Sequence, residues 1–240
     1  MPLIDVEQGS ADWIKMRVGC VTGSRVADVI AKRKRGEGEL AVRYNYKGEV
    51  LTEQLTGRAT EHFVSREMKW GIENEIFART AYELHVGEVK QFGQDIVTDI
   101  DTVERAGFAL HDRIKFFGAS PDAFVGDEGL AEFKCPNTET HIGYILAGVV
   151  PAEYQPQMLA EMACTGRKWC DFVSFDPRLP KRLQLFIRRF ERDEARIAAM
   201  EHEVEVFLAE VDALKQLLLG SRMVDLDASL ETKLKESLQK

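Results

Sequence analysis

Residues 120–134 read SPDAFVGDEGLAEFK, and the fold turns on how that stretch is taken. An apolar run ends at Val125, Gly126-Asp127-Glu128-Gly129 is a turn signal, and 130–134 resumes the texture of a strand. The turn predicts a hairpin that lays Asp122 beside Glu132. Alternate side chains of a strand share a face, so Glu132 and Lys134 project together while Phe133 points to the opposite side. Apolar Leu130, Ala131 and Phe133 imply a mostly buried strand, in which a glutamate and a lysine are costly without partners. Either a structural ion pair or a chemical task must account for them. Two carboxylates converging on one point repel unless a cation lies between them, and hard oxygen donors suit magnesium or manganese. A lysine beside them can position a water and help keep it deprotonated. That is the equipment of metal-assisted phosphodiester hydrolysis, although the bare spacing Pro-Asp, nine residues, Glu-x-Lys also arises by chance.

Outward from the hairpin, 94–99, 105–110 and 115–125 carry strand signals on one side, and 129–135, 170–175 and 182–190 on the other. Helices are predicted over 45–56, 64–86, 137–147 and 153–165. Met68, Ile72, Ile76 and Ala81 form the apolar stripe of the second of these. Ser10 reads as the N-cap of a short helix with Trp13, Ile14 and Arg17, and Thr22 or Ser24 as the cap of another with Val26, Val29 and Ile30. From 191 to 219 the spacing Ile197, Met200, Val204, Phe207, Val211, Leu214, Leu218 predicts one long amphipathic helix. The order predicts an α/β (α+β) chain with a central mixed β-sheet flanked by helices. It is taken as a single domain over 1–240: mainly helical over 1–92, a sheet core over 93–190, and a C-terminal helical part over 191–240. There is no regular βαβ alternation and no GxGxxG or GxxxxGK[ST] loop, which argues against a doubly wound nucleotide-binding fold.

Composition narrows the classes further. With 240 residues, 45% of them hydrophobic, the chain can bury a proper core. The longest apolar stretch, 144–150, falls far short of the roughly 20 residues a bilayer needs. The acidic opening MPLIDVEQGS lacks a secretory n-region, so a cytoplasmic location is expected. Cys20, Cys135, Cys164 and Cys170 are scattered, and histidines 62, 85, 111, 141 and 202 form no metal-spaced set, against zinc or an iron–sulfur cluster. The net charge is −8, yet residues 1–70 hold 12 basic and 10 acidic side chains, 12 − 10 = +2. Lys32-Arg33-Lys34-Arg35 is the one basic run there; it reads as a solvated loop or as a polyanion contact.

Five separated blocks, in order, resemble one family: WIKMRVGCVTGSRVADVIAK (13–32), WGIENEIFAR (70–79), SPDAF (120–124), EFKCP (132–136) and YQPQMLAEMACT (154–165). They are similar to the PD-(D/E)xK nucleases, and within them to the phage lambda exonuclease type of alkaline exonuclease used in viral recombination. The resemblance runs from about 13 to 178. It implies a restriction-endonuclease-like core in which Asp122 and Glu132 bind Mg2+ (or Mn2+) and Lys134 acts on the attacking water. It implies that Glu75 completes the metal shell, that the Phe133 carbonyl is a further ligand, and that Gln157 lies near the active centre; Glu73, two residues before Glu75, faces elsewhere on a helix and reads as solvated.

The same resemblance puts Arg17 and Ser24 at the anchor for a 5′-terminal phosphate, although Ser24 by itself reads as an N-cap. An arginine fork and free N–H groups at a helix start suit phosphate. Lys34 or Arg35 and Lys69 would contact DNA, and Met68 would either wedge between the strands or pack in the core. Tyr154, Trp70 and Trp169 read as packing. The family implies a processive 5′→3′ exonuclease on linear double-stranded DNA that leaves 3′ overhangs. It likewise implies a homotrimer ring around DNA, a single-strand annealing protein as partner, and a phage or prophage gene in a bacterial host. Two other classes fit the core alone: a sequence-specific or repair endonuclease, and a non-catalytic DNA-binding module.

Overall fold

The computed structural model describes residues 3–4, 6–32, 38–61, 64–91 and 102–220. In chain order it has β1 (Leu3–Ile4), α1 (Ala11–Arg17), β2 (Val21–Thr22), α2 (Val26–Val29), α3 (Ala41–Thr56) and α4 (Arg66–Gln91). Then come β3 (Val103–Arg105), β4 (Phe108–Leu110), β5 (Phe117–Ala119), β6 (Ala123–Val125) and β7 (Gly129–Lys134). The chain continues through α5 (Thr138–Ala147), α6 (Gln155–Thr165), β8 (Trp169–Phe175), β9 (Leu185–Glu191) and α7 (Glu194–Gly220). The strand predicted over 94–99 lies outside the described residues.

The strands form two sheets, one of order β1-β4-β5-β2 and one mixed, of order β3-β6-β7-β8-β9. Where the sequence predicts one strand over 115–125, β5 and β6 belong to different sheets. Pro121 divides them: it has no N–H to give a ladder, and Gln8 donates to its carbonyl at 2.8 Å. Likewise 105–110 is divided between β3 and β4. The first 92 residues are not purely helical, since β1 and β2 edge the smaller sheet. Two residues are too few to show a period of two.

The hairpin at 123–134 has Ala123 opposite Ala131 and Val125 opposite Gly129. Gly126 takes φ +51°, and a Cβ at Gly129 would meet the Trp169 ring at 2.1 Å, so both glycines are required. Strand β7 runs parallel to β8 through the α5–α6 crossover, and β8 pairs antiparallel with β9. Helices cover both faces of β7. Leu130 packs in the larger core with Met158 and Met162 of α6, whereas Ala131 and Phe133 join Ala78 and Tyr82 of α4 in a second core. Burial on both faces explains why apolar side chains of β7 and β8 point to both sides of the sheet, Leu130, Cys170 and Phe172 to one and Ala131, Phe133 and Val173 to the other.

Helix α4 turns a different face inward from most of the predicted stripe, of which Ala81 alone packs against a core among the described residues. Asn74, Ala78 and Tyr82 are buried, while Met68 (53% exposed), Ile72 (69%) and Ile76 face outward. Small Ala78 permits close approach to the sheet, and Tyr82 caps it by edge-on contact with Phe133. In α7, Ile197, Met200, Val204, Phe207 and Val211 are buried as predicted, with Phe207 stacked on Tyr46 of α3 at 5.6 Å, but Leu214 and Leu218 are exposed. Arg43 and Lys47 of α3 add ion pairs to Glu210 on the same helix.

Candidate active site

The hairpin brings Asp122 against the strand that carries Glu132. The Phe133 N–H donates to Asp122 Oδ2 at 2.7 Å, fixing that carboxylate at the mouth of the hairpin. Glu132 is 1% exposed. Its Oε1 accepts from Lys134 Nζ and from Gln157 Nε2, the latter at 2.6 Å, while its Oε2 is buried with no hydrogen-bond partner among the described residues. Lys134 Nζ also lies 5.3 Å over the Tyr154 ring, which itself stacks on Phe172 at 5.2 Å. Tyr154 is thus packing, and the floor on which the lysine rests.

Charge in this space is crowded. Burial, then the neighbouring Glu132, pushes Asp122 well above the ordinary carboxylate range, with Lys134 pulling the other way. Glu75 on α4 is raised by burial and then by Glu132, opposed by Arg79 and Lys134. Burial disfavours the Lys134 ammonium, but Glu132 and Asp122 outweigh it and raise its pKa. Lys134 is therefore a cation at neutral pH. Glu73, two residues from Glu75, is exposed.

The expected three-carboxylate shell is not assembled: among the described residues no three His, Cys, Asp or Glu side chains form a set that could hold a metal ion. Lys134 draws Glu132 to itself, and Glu75 acts on the pair through its field. The residues still fit magnesium, which takes one or two carboxylates and keeps several waters. Glu132 Oε2 is a buried oxygen without a hydrogen-bond partner among the described residues, which suits a hard cation.

A second constellation lies in a cavity of about 1050 Å³ lined by residues that include Trp13, Arg17, Ser24, Arg25 and Met68. Among the described residues no carboxylate lies within ion-pair distance of Arg17; its guanidinium stacks on Trp13 at 3.8 Å. Arg25 is by contrast held by Asp28 (2.6 Å) and Glu49 (3.3 Å). Glu53, also in the lining, is engaged by the N–H groups of Gly19 and Thr60 at 2.8 Å each. Neither Thr22 nor Ser24 caps a helix with its side chain: Gly23–Arg25 is a 3-10 turn ahead of α2. The exposed Ser24 hydroxyl, 3.5 Å from Thr22 Oγ1, opens to the cavity. Met68 is an exposed lining residue and not core. Lys69 is exposed beside it, and Lys34 and Arg35 lie outside the described residues.

Residues 12–168 match the family described as the YqaJ-like viral recombinase domain. The chain belongs to that family. It is 44% identical to an alkaline exonuclease (LHK-Exo) from Laribacter hongkongensis, over 87% of this chain and 96% of that one, with a TM-score of 0.76. The crystal structure of LHK-Exo in complex with dAMP matches with the same figures. A phage related exonuclease from Haemophilus somnus 129PT, 15% identical over 83% and 96% of the two chains, shares the fold at a TM-score of 0.59. No curated protein matches. The mixed sheet with helices on both faces is the PD-(D/E)xK fold of these phage-type exonucleases.

Two residues of this YqaJ-like domain escape a reading of its sequence. Glu161 is 1% exposed on α6, accepts from Gln157 at 2.9 Å, and is raised well above its ordinary range by burial and then by Glu132. Its signal was the spacing of four from Gln157, one turn along the same helix face. Arg79, one turn beyond Glu75, is 9% exposed and donates to the Asp122 carbonyl. No helix among the described residues is long and apolar enough to cross a membrane.

Proposed function

We propose that this protein is a magnesium-dependent exonuclease that degrades the 5′-ended strand of linear double-stranded DNA in the 5′→3′ direction, processively, releasing mononucleotides and leaving 3′ single-stranded overhangs. The observation that carries the reading is the cluster of buried Glu132 with half-buried Asp122 and Lys134, in which one oxygen of Glu132 has no hydrogen-bond partner among the described residues. The 44% identity to an alkaline exonuclease, and the dAMP complex of that enzyme, support a nuclease that yields mononucleotides.

Asp122, Glu132 and the Phe133 carbonyl would hold the ion, with Glu75 adding negative charge from α4. Magnesium, or manganese in its place, supplies Lewis-acid polarisation of the phosphate and acidifies bound water. Lys134 as an ammonium orients the attacking water by hydrogen bonding and favours its hydroxide form. Gln157 holds Glu132 in one rotamer. Arg17, with no carboxylate within ion-pair distance among the described residues, grips the 5′-terminal phosphate with a bidentate fork, and the Ser24 hydroxyl adds a donor. Met68, on the rim of that cavity, meets the end of the duplex with Lys69 on the backbone, and Lys34 or Arg35, outside the described residues, would add a further backbone contact.

A homotrimeric ring around the DNA would give processivity, because the trailing strand retains the enzyme topologically. The 3′-ended product calls for a single-strand annealing protein, and the bacterial cytoplasm of a phage or prophage host is the setting. One assay tests the reaction: linear 5′-phosphorylated duplex against closed circular plasmid, each with magnesium and with chelator. Mononucleotides from the linear substrate alone, only with metal, are the expected result. Cutting of the closed circle points to an endonuclease, and inertness towards both to a binding module.

A further inference from the structure

We propose that Arg79 is a positioning residue that clamps helix α4 onto the hairpin and so sets the spacing of Glu75 from Asp122 and Glu132. The inference rests on the nuclease reading above. Arg79 is only 9% exposed, so its guanidinium is held within the protein, where a charge persists only with good partners. Among the described residues no carboxylate lies within ion-pair distance of it. It donates instead to the backbone carbonyl of Asp122, and its Cζ stands 5.4 Å over the Phe133 ring.

Those two contacts fall on opposite arms of the hairpin. Asp122 precedes β6, Phe133 lies in β7, and the Phe133 N–H in turn holds Asp122 Oδ2. One planar group therefore grips the main chain of one metal-site residue and the side chain next to another. Arg79 also sits four residues after Glu75, on the same face of α4. Rotation or lift of α4 would move both together, so the fork fixes Glu75 relative to the two carboxylates facing it. Its charge acts in the same sense, favouring the ionised form of Glu75. A lysine can supply the charge but not the rigid, planar contact with both arms.

A purely structural strut would affect folding and leave ion binding alone. The test is Mn2+ binding to the free protein, read from loss of the aqueous Mn2+ electron paramagnetic resonance signal, for wild type, Arg79→Lys and Arg79→Met. Duplex-end binding in chelator is measured alongside. The expected result is Mn2+ affinity weakened at least tenfold in Arg79→Met and about three- to fivefold in Arg79→Lys, with end binding within twofold of wild type. Wild-type Mn2+ affinity in Arg79→Lys overturns the clamp, and this variant alone decides if Arg79→Met does not fold. Equal losses of Mn2+ and end binding overturn it too, as general loosening. A wild-type protein that binds no Mn2+ and digests nothing removes the nuclease reading itself. Wild-type binding with unaltered variants removes only the role of Arg79.

Discussion

Gln157 reaches from α6 to Glu132 on β7, with its Nε2 2.6 Å from Oε1, and the same nitrogen lies 2.9 Å from Glu161. Both protons of one amide are thereby given to carboxylates, which fixes the amide orientation and locks two acidic side chains in place. Gln157→Leu should lower single-turnover cleavage about 10- to 100-fold, the usual cost of losing an outer-shell partner of a metal ligand, with little change in DNA affinity. Gln157→Glu should be worse, because it places a third carboxylate between two others. A loss confined to KM would mean that Gln157 serves DNA and not Glu132.

Lys134 is the counter-charge for Glu132 and Asp122, and removing one partner of a buried pair costs more than removing both. Lys134→Met should abolish measurable cleavage and destabilise the metal-free protein by on the order of 3 kcal/mol. Adding Glu132→Gln to it should recover much of that stability and none of the activity. Urea denaturation of the two single variants and the double variant gives the coupling directly. Additive effects would show that the lysine does not neutralise Glu132.

Arg17 is stacked on Trp13 and, among the described residues, lacks an ion pair, so its fork is preorganised and available. Arg17→Ala should bring the rates on 5′-phosphorylated and 5′-hydroxyl duplexes close together, leave the magnesium requirement unchanged, and reduce the salt slope of end binding by about one. Arg17→Lys should fall between, since an ammonium replaces the charge without the bidentate geometry. An unaltered preference for phosphorylated ends would move the anchor elsewhere.

The parts of this architecture legible in the chain are those with short-range signals. Gly126 and Gly129 around a period-two pattern mark the hairpin, and the hairpin alone is enough to set Asp122 beside Glu132. Helix α4 shows where such signals mislead. Met68, Ile72 and Ile76 satisfy the helical period as well as Asn74, Ala78 and Tyr82 do, and hydrophobicity favours the first set. Only the packed sheet selects the second, because the small side chain of Ala78 allows close approach. Glu161 is hidden for a related reason: inside MLAEMAC it passes for one polar position on an amphipathic helix. Its burial appears only once α6 is packed into the larger core. Strands β1 and β2 are defined by their partners Phe108–Ala109 and Phe117–Gly118, far away in sequence.

Glu161 also makes a test by pH. Its folded-state pKa is raised, by burial first and Glu132 second, so the folded protein binds more protons than the unfolded chain once pH exceeds the ordinary glutamate value of 4.5. Stability changes with pH in proportion to protons bound unfolded minus folded, and this difference is negative here, so Glu161 makes the protein less stable as pH rises. The favourable contribution is complete below pH 4.5 and is lost on the way up through the raised value. Glu161→Gln keeps an oxygen to accept from Gln157 but has no charge to bury. Its melting temperature should therefore equal or trail that of wild type at pH 5 and exceed it at pH 8. A gain of about 2–4 °C corresponds to about 1 kcal/mol in a domain of this size. Asp176, Glu39 and Glu210, whose folded values are lowered, bend both curves alike and cancel in the difference. A gap between the two proteins that stays constant from pH 5 to 8 would show that Glu161 carries the same charge folded and unfolded, and that the acidic crowding around Glu132 is relieved in some other way.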